Sequence, residues 1–184
     1  MKVYINPGHD LKYDSGAVNP VTGVRECDVA AKIGEAVKKY LEAAGCECRL
    51  LQSDNLYYDS NYDDRPVAVC ADANAWGADV FVSIHCNAFD GTAQGTETLC
   101  YSRTSKGGKL AQCIQDQIVG ALGTVDRGVK ERRDLIVLKH TAMPAVLVET
   151  AFIDNDEDAI LLTDSLDDIA AAIARGVTDY QCSL

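Results

Sequence analysis

A nearly continuous apolar run that ends at His85 constrains the fold of this chain more than any other feature. A strand that is apolar on both faces must be covered on both sides, as in parallel sheets that lie between helices. Short β-rich runs alternate with segments of helical period along the rest of the sequence. The sequence therefore predicts an α/β fold in a single domain, residues 1–184. We expect about six strands in a mixed, mostly parallel sheet covered by helices on both faces.

Apolar spacing and turn residues place the individual elements. Helices are indicated where apolar residues recur every three or four positions, as at Val29, Ile33 and Val37. Strands are indicated where short β-branched runs stop at turn residues such as Pro7 and Gly8. The predicted strands are 2–6, 47–51, 80–85, 95–101, 135–138 and 145–150; the predicted helices are 26–44, 64–76, 109–122, 156–162 and 165–180; a Tyr- and Asn-rich loop is predicted at 55–62.

The net charge of -11 limits the partners of the chain. An acidic protein repels phosphate backbones and anionic lipids, so we expect no nucleic-acid partner. No apolar run approaches the roughly 20 residues that cross a bilayer, so we expect no membrane insertion. The amino-terminal segment also lacks the apolar stretch of a signal peptide. No feature of the sequence points to a protein partner.

The eight cysteines are scattered along the chain, and several fall in apolar stretches, as Cys48, Cys70 and Cys100 do. A free cysteine behaves as a small buried hydrophobic residue. A domain of this size does not need crosslinks, so we predict reduced, mostly structural thiols. Disulfides and a cysteine metal or redox site are the alternatives, although Cys46 and Cys48 lack CxxC spacing.

Residues with metal-binding chemistry stand where predicted strands end. His9 follows the first strand, His85 ends the third, and Glu149 lies near the end of the last. Ligands of open α/β sheets bind at the carboxyl ends of strands, so these side chains can converge. Glu26 opens the first predicted helix, which begins at the same edge of the sheet in a right-handed crossover.

Two imidazoles and a carboxylate suit a catalytic zinc, which takes three protein ligands and keeps one position for water. If Glu149 is the base, Glu26 is the third ligand. Each residue alone has a simpler reading: a strand-end histidine is often a hydrogen-bonded structural residue, and Glu26 also counters the helix dipole. The residues by themselves therefore predict a candidate His/Glu metal site and nothing finer.

Four blocks of the sequence surround these candidate residues. They are Asn6-Pro7-Gly8-His9, Val24-Arg25-Glu26, the segment 78–88 with Ser83-Ile84-His85-Cys86-Asn87-Ala88, and the segment 144–155 with Leu147-Val148-Glu149-Thr150. In sequence and in order, these blocks resemble the zinc-dependent N-acetylmuramoyl-L-alanine amidases. Smaller matches occur at 95–98 and 127–130, and the resemblance covers essentially the whole chain.

The resemblance implies His9, Glu26 and His85 as ligands of one Zn²⁺ per chain and Glu149 as the catalytic carboxylate. It implies a six-stranded sheet between helices. It also implies peptidoglycan as substrate, with hydrolysis of the amide between N-acetylmuramic acid and L-alanine during cell-wall lysis or remodelling.

Other residues around these blocks carry weaker expectations. Asn87 and His140 are candidate substrate contacts. Cys86 follows a proposed ligand, but strand alternation points it away from His85, so we expect it to pack in the core. The family usually has glycines where Asp10-Leu11 follow His9, and often a glycine at Ala151. These departures leave the ligands intact and affect the shape of the local loops.

Two other functions fit parts of the pattern. Another zinc amidohydrolase or a carboxypeptidase that acts on stem peptides would need a cationic clamp, for which Arg127, Arg132 and Arg133 are the clustered candidates. A non-catalytic wall-binding module would be expected to lack Glu149. For localisation we expect an endolysin-like protein, made in the cytoplasm and acting on the wall after release, or a domain of a larger secreted protein.

Overall fold

The computed structural model describes residues 1–57 and 63–184, so the predicted loop at 55–62 lies partly outside the described residues. Six strands and six helices are found in these two ranges. The strands are β1 (Lys2–Pro7), β2 (Glu47–Leu50), β3 (Val80–Asn87), β4 (Thr96–Cys100), β5 (Asp126–Glu131) and β6 (Ala145–Phe152). The helices are α1 (Glu26–Ala43), α2 (Val69–Trp76), α3 (Lys106–Leu122), α4 (Ile136–Lys139), α5 (Asp156–Asp164) and α6 (Leu166–Cys182).

The strands form one sheet in the order β2-β1-β3-β6-β4-β5. All neighbouring strands are parallel except β4 and β6, which pair antiparallel. The predicted mixed, mostly parallel sheet is therefore confirmed. Because β1, β3 and β6 are adjacent and parallel, the residues that end them meet at one edge of the sheet.

Helices cover both faces of the sheet, as predicted. Val3 and Ile5 of β1 belong to the core shared with α1, α3 and α6, whereas Tyr4 between them packs on the other face with α2 and α4. This alternation is the period of two that a strand imposes. The apolar run of β3 follows the same rule: Val82 and Phe81 lie in different cores. No helix in the described part of the chain has both the length and the apolar character needed to cross a membrane.

The prediction of a strand at 135–138 is wrong. Those apolar residues lead into the short helix α4, where Val137 and Leu138 pack on the face of the sheet. The remaining strand of the sheet is instead β5, which precedes α4 in the chain. The sequence did not indicate this strand because only Val129 of its six residues is buried. β5 is an edge strand, and edge strands are often polar and charged.

The helix predicted at 64–76 begins five residues later than expected, at Val69. Arg65 precedes Pro66, and the residue before a proline avoids the helical region. Arg65 is instead bound to Asp54, and its carbonyl oxygen accepts a hydrogen bond from Asn55. These contacts hold the segment before α2 in an irregular conformation.

Candidate functional site

His9, Glu26 and His85 converge at the carboxyl edge of the sheet, although they are far apart in sequence. His9 follows β1, His85 lies in β3, and Glu26 is the first residue of α1. One potential ligand atom from each residue lies within 4.8 Å of the others. The imidazole rings of His9 and His85 are 5.0 Å apart and nearly perpendicular. This is a candidate metal-binding group.

The Glu26 carboxylate joins the two histidines. Its Oε2 lies 3.1 Å from His9 Nε2, and its Oε1 lies 2.9 Å from His85 Nδ1. The same two oxygens accept hydrogen bonds from the backbone N–H groups of Ala17 and Cys86. Burial opposes the charge of this side chain, but the hydrogen bonds from both histidines hold the pKa of Glu26 well below its usual range. Glu26 is therefore a buried anion fixed in place by four contacts.

Asp14 orients His9 from outside the cluster. Its Oδ2 lies 2.7 Å from His9 Nδ1, which leaves Nε2 directed at Glu26. Burial opposes protonation of the ring, yet the contacts with Glu26 and Asp14 raise the pKa of His9 to about 9. A metal ion takes the neutral imidazole and would displace this proton. Asp14 was not among the residues predicted from the sequence. It could have been found there as a carboxylate in the same loop as a candidate ligand, because such residues often hold the second nitrogen of a ligating histidine.

Two glycines allow the cluster to close. A Cβ on Gly8 would lie 2.3 Å from Cε1 of His85, and a Cβ on Gly16 would lie 2.5 Å from Cδ2 of His9 and 2.6 Å from Oε2 of Glu26. Gly16 also has φ +63, a conformation that glycine adopts without steric cost. The backbone therefore approaches the candidate ligands more closely than any side chain would permit.

Glu149 lies beside this cluster on the adjacent strand. It is the register partner of His85 in the β3–β6 pair. Its Oε2 atom is buried and has no hydrogen-bond partner among the described residues. Burial raises the pKa of Glu149 to about 7; His85 opposes the shift, while Glu26 and Glu97 add to it. A buried carboxylate oxygen without a partner is costly, and groups with strongly perturbed pKa values cluster at functional sites.

Glu97 is a second acidic residue at this edge that the sequence analysis did not single out. It stands directly opposite Glu149 in the β4–β6 pair. Its carboxylate binds Arg127 and Lys130 and accepts a hydrogen bond of 3.3 Å from Asn87 Nδ2. The sequence contained Glu97 only as part of a minor family match, and its contact with Asn87 depends on strand order.

His140 is not part of the metal-binding group. Its ring stacks on Tyr57 with 4.0 Å between centroids, and its carbonyl oxygen accepts a hydrogen bond from Asn74. Cys86 lies in the core, where its thiol is 3.7 Å from Thr150 Oγ1 and burial raises its pKa. The thiol of Cys86 therefore packs away from the cluster.

Thiol titration should count all eight cysteines as free. Every one is unpaired in the structure, and burial raises the pKa of thiols such as Cys48 and Cys70, which protects them as neutral groups. The measurement uses denatured protein prepared without reductant and alkylated quickly. Cys182 is exposed, so the loss of this one thiol would indicate oxidation after purification. A reproducible deficit of two or more thiols that reductant restores would contradict the structure.

Comparison with known proteins identifies the family of the chain. Residues 3–179 match the family described as N-acetylmuramoyl-L-alanine amidase. The chain belongs to the N-acetylmuramoyl-L-alanine amidase family. The resemblance inferred from the four sequence blocks is thus confirmed.

Relatives of this amidase-family chain include a phage enzyme and a bacterial one. It is 39% identical to the endolysin of Bacillus phage SPP1 over 96% of its own length. It is 37% identical to the N-acetylmuramoyl-L-alanine amidase LytC of Bacillus subtilis strain 168 over 97% of its length. The matches cover 65% and 35% of those two proteins, so the amidase-family chain spans only part of either.

Solved structures of amidases share the fold. The N-acetylmuramoyl-L-alanine amidase AmiC2 of Nostoc punctiforme matches with a TM-score of 0.85 and 32% identity, covering 99% of this chain and 97% of that one. The catalytic domain of the amidase CwlV from Bacillus (Paenibacillus) polymyxa var. colistinus matches with a TM-score of 0.84 and 30% identity, covering 98% of each chain. The amidase-family chain therefore has the fold of these two amidase structures.

Proposed function

We propose that the chain is a zinc-dependent hydrolase of the amide bond between N-acetylmuramic acid and L-alanine in bacterial peptidoglycan. The observation that carries the proposal is the convergence of His9, Glu26 and His85 beside the unpartnered carboxylate oxygen of Glu149. In a member of the amidase family, that arrangement supplies a metal-binding group and an acid–base group at the same edge of the sheet.

The residues fit a zinc ion. Imidazole nitrogens and a carboxylate are ligands that catalytic zinc takes, with three protein ligands and an open position. The histidines and Glu26 present such atoms within 4.8 Å of one another, and Asp14 fixes the ring of His9 as the outer partners of zinc ligands do. We propose His9, Glu26 and His85 as the ligands of one zinc ion per chain.

Glu149 is proposed as the acid–base group of the reaction. When bound, zinc supplies Lewis-acid polarisation of the amide carbonyl and makes a neighbouring water more acidic. The carboxylate of Glu149 takes the proton from the attacking water and passes it to the nitrogen of L-alanine, because an amine is too basic to leave as an anion. The C–N bond breaks, which leaves a carboxylate on the muramic acid and a free amino terminus on the stem peptide.

Asn87 and His140 remain candidate substrate contacts with different support. Asn87 ends β3 beside Glu97 and so lies at the edge that holds Glu149. His140 precedes β6 and contacts Tyr57 and Asn74 instead. We propose that Asn87 contacts the substrate close to the scissile amide, and that any contact of His140 is more distant.

The chain is proposed to act at the cell wall. One of its relatives is a phage endolysin, and the substrate of the proposed reaction is peptidoglycan. Release of a cytoplasmic protein to the wall and secretion as a domain of a larger protein are both compatible with this site of action.

The end groups released from purified peptidoglycan test the proposal. We expect new amino-terminal L-alanine without new reducing sugar ends, together with about one zinc per chain in elemental analysis. Removal of metal with a chelator should abolish release, and added zinc should restore it. Free amino acids from the carboxyl end of the stem would instead identify a carboxypeptidase. Binding to the wall with no new end group would identify a binding module.

Replacing Gly16 with alanine should weaken metal binding. Its Cβ would lie 2.5 Å from His9 Cδ2 and 2.6 Å from Glu26 Oε2, so the ligands must move. The left-handed backbone adds about 1–2 kcal/mol of destabilisation for any residue with a Cβ. The free energy of unfolding in urea and the zinc dissociation constant measure the two effects.

Gly23→Ala is the matched control. Gly23 has φ +73, but a Cβ there meets no atom within 4 Å. Both variants should therefore lose the stability that the left-handed backbone costs, and Gly16→Ala should lose more because its Cβ also displaces His9 and Glu26. Only Gly16→Ala should lose metal affinity. Equal zinc affinity in the two variants would show that the close approach at Gly16 has no bearing on the ligands.

A further inference from the structure

A β-bulge places two cations on the same face of the sheet as Glu149. In the β4–β5 pair, Glu97 stands opposite two residues, Arg127 and Gly128. Gly128 has φ +77, which suits the extra residue of a bulge. Arg127 and Lys130 are three positions apart and would point to opposite faces of a regular strand. The bulge instead brings both side chains to the carboxylate of Glu97.

These cations lie close to the proposed reaction centre. Glu97 and Glu149 are direct partners in the antiparallel β4–β6 pair. Directly opposed residues have Cβ atoms about 4.5–5.5 Å apart. The distance from Glu149 to the charged groups that bind Glu97 is therefore about the length of one or two residues of extended peptide, since an extended chain rises roughly 3.3–3.6 Å per residue.

The charges of this group do not balance. Glu97 is one carboxylate bound to two cations. Burial opposes ionisation of this carboxyl group, but Lys130 and Arg127 outweigh burial and hold the pKa of Glu97 below its usual range. The group therefore carries one excess positive charge in a chain whose net charge is -11. In the described ranges, every other Arg or Lys ion pair has at least one carboxylate per cation. Those pairs are Arg25–Asp28, Lys38–Glu42, Arg49–Asp72, Arg65 with Asp54 and Asp64, Arg132–Asp134, Arg133–Glu131 and Arg175–Asp179.

Both cations keep donors for a ligand. Arg127 uses Nε for Glu97 and Nη1 for the carbonyl oxygen of Gln94, out of five N–H groups. Lys130 has three N–H groups and contacts Glu97. The two side chains are 33% and 44% exposed, whereas the Glu97 side chain is 11% exposed. A ligand can therefore reach the cations while Glu97 stays covered.

We propose that Arg127 and Lys130 bind a free carboxylate on the second residue of the stem peptide, directly after the L-alanine. This inference rests on the proposed function, because it places the scissile amide at Glu149. Glu97 is a positioning residue: it fixes both cations and neutralises one of them. The remaining positive charge selects stem peptides whose second residue is ionised over those in which that carboxylate is amidated.

Two muropeptides that differ at a single group test the proposal. The probes are N-acetylmuramoyl-L-alanyl-D-isoglutamate and its amide, N-acetylmuramoyl-L-alanyl-D-isoglutamine. The wild-type zinc enzyme should cleave the free acid with a kcat/KM at least about tenfold higher, mainly through KM, as a charge-assisted hydrogen bond implies. Lys130→Met should abolish that preference, because it removes one of the two cations and leaves Arg127 and Glu97 as a neutral pair.

Conservative and distant substitutions serve as controls. Lys130→Arg should retain the preference, and so should Arg175→Met, which removes a cation that pairs with Asp179 on α6. Equal cleavage of both muropeptides by the wild type, or a preference that persists in Lys130→Met, would overturn the carboxylate site and leave the proposed amidase intact. Failure of the wild type to cleave either muropeptide or whole peptidoglycan at the amide would overturn both.

Discussion

Replacing His85 with alanine is expected to remove the metal and the activity together. His85 is one of the three side chains whose ligand atoms lie within 4.8 Å of one another. Partners outside the ligand set are worth about 10–100-fold in metal affinity, so the loss of a ligand should exceed that range. Metal catalysis contributes several kcal/mol, which corresponds to a rate loss of about 10³-fold or more. Elemental analysis and release of amino-terminal L-alanine measure the two effects.

The fold should survive this change. Glu26 keeps its contacts with His9, with the backbone N–H of Ala17 and with the backbone N–H of Cys86 when the imidazole of His85 is removed. His140→Ala is the control, since it removes the third histidine, which lies outside the cluster. That variant should keep about one metal per chain. Full metal content and full activity in His85→Ala would refute the ligand assignment.

The position of the site could be predicted from the sequence because it depends on where strands end. The apolar run before His85 predicts a buried strand, and parallel strands bring their carboxyl ends to one edge. The same rule placed His9 and Glu149 there, and crossover handedness added Glu26. The structure brings these side chains together as adjacent strands and a helix start.

The partners of those residues could not be predicted in the same way. Asp14 reaches His9 because Asp10 and Asp14 pair across a tight loop. The spacing of apolar residues does not predict the conformation of that loop. Glu97 reaches Asn87 only because β4 inserts beside β6, an order that the sequence does not specify. Such contacts depend on strand order and loop geometry rather than on local pattern.

The wrong prediction of a strand at 135–138, where the structure has the helix α4, has a related cause. Periodicity detects burial, and both α4 and a central strand present short apolar runs. β5 is charged at four of its six positions, because it lies at the edge of the sheet and uses Arg127 and Lys130 to bind Glu97. The residues that obscured this strand are thus the ones proposed to recognise the substrate.

Glu149→Gln is expected to lower hydrolysis by about 10²–10⁴-fold, the usual contribution of a general acid–base group. The amide keeps the shape of the side chain but can neither take the proton of water nor return it to the leaving nitrogen. Zinc content should stay that of the wild type, because the proposed ligands are His9, Glu26 and His85. Single-turnover hydrolysis and elemental analysis on the same sample separate the two quantities.

Stability distinguishes a catalytic role of Glu149 from a structural one. Burial raises its pKa from 4.5 to about 7, so the metal-free wild type should lose stability as the pH rises from about 4.5 through about 7 and this carboxyl ionises in the fold. The neutral amide removes that penalty, so metal-free Glu149→Gln should be at least as stable as the wild type at pH 8. Glu35→Gln, an exposed change on α1, should alter neither rate nor stability. A folded Glu149→Gln protein without zinc would make Glu149 a ligand and Glu26 the better candidate for the base.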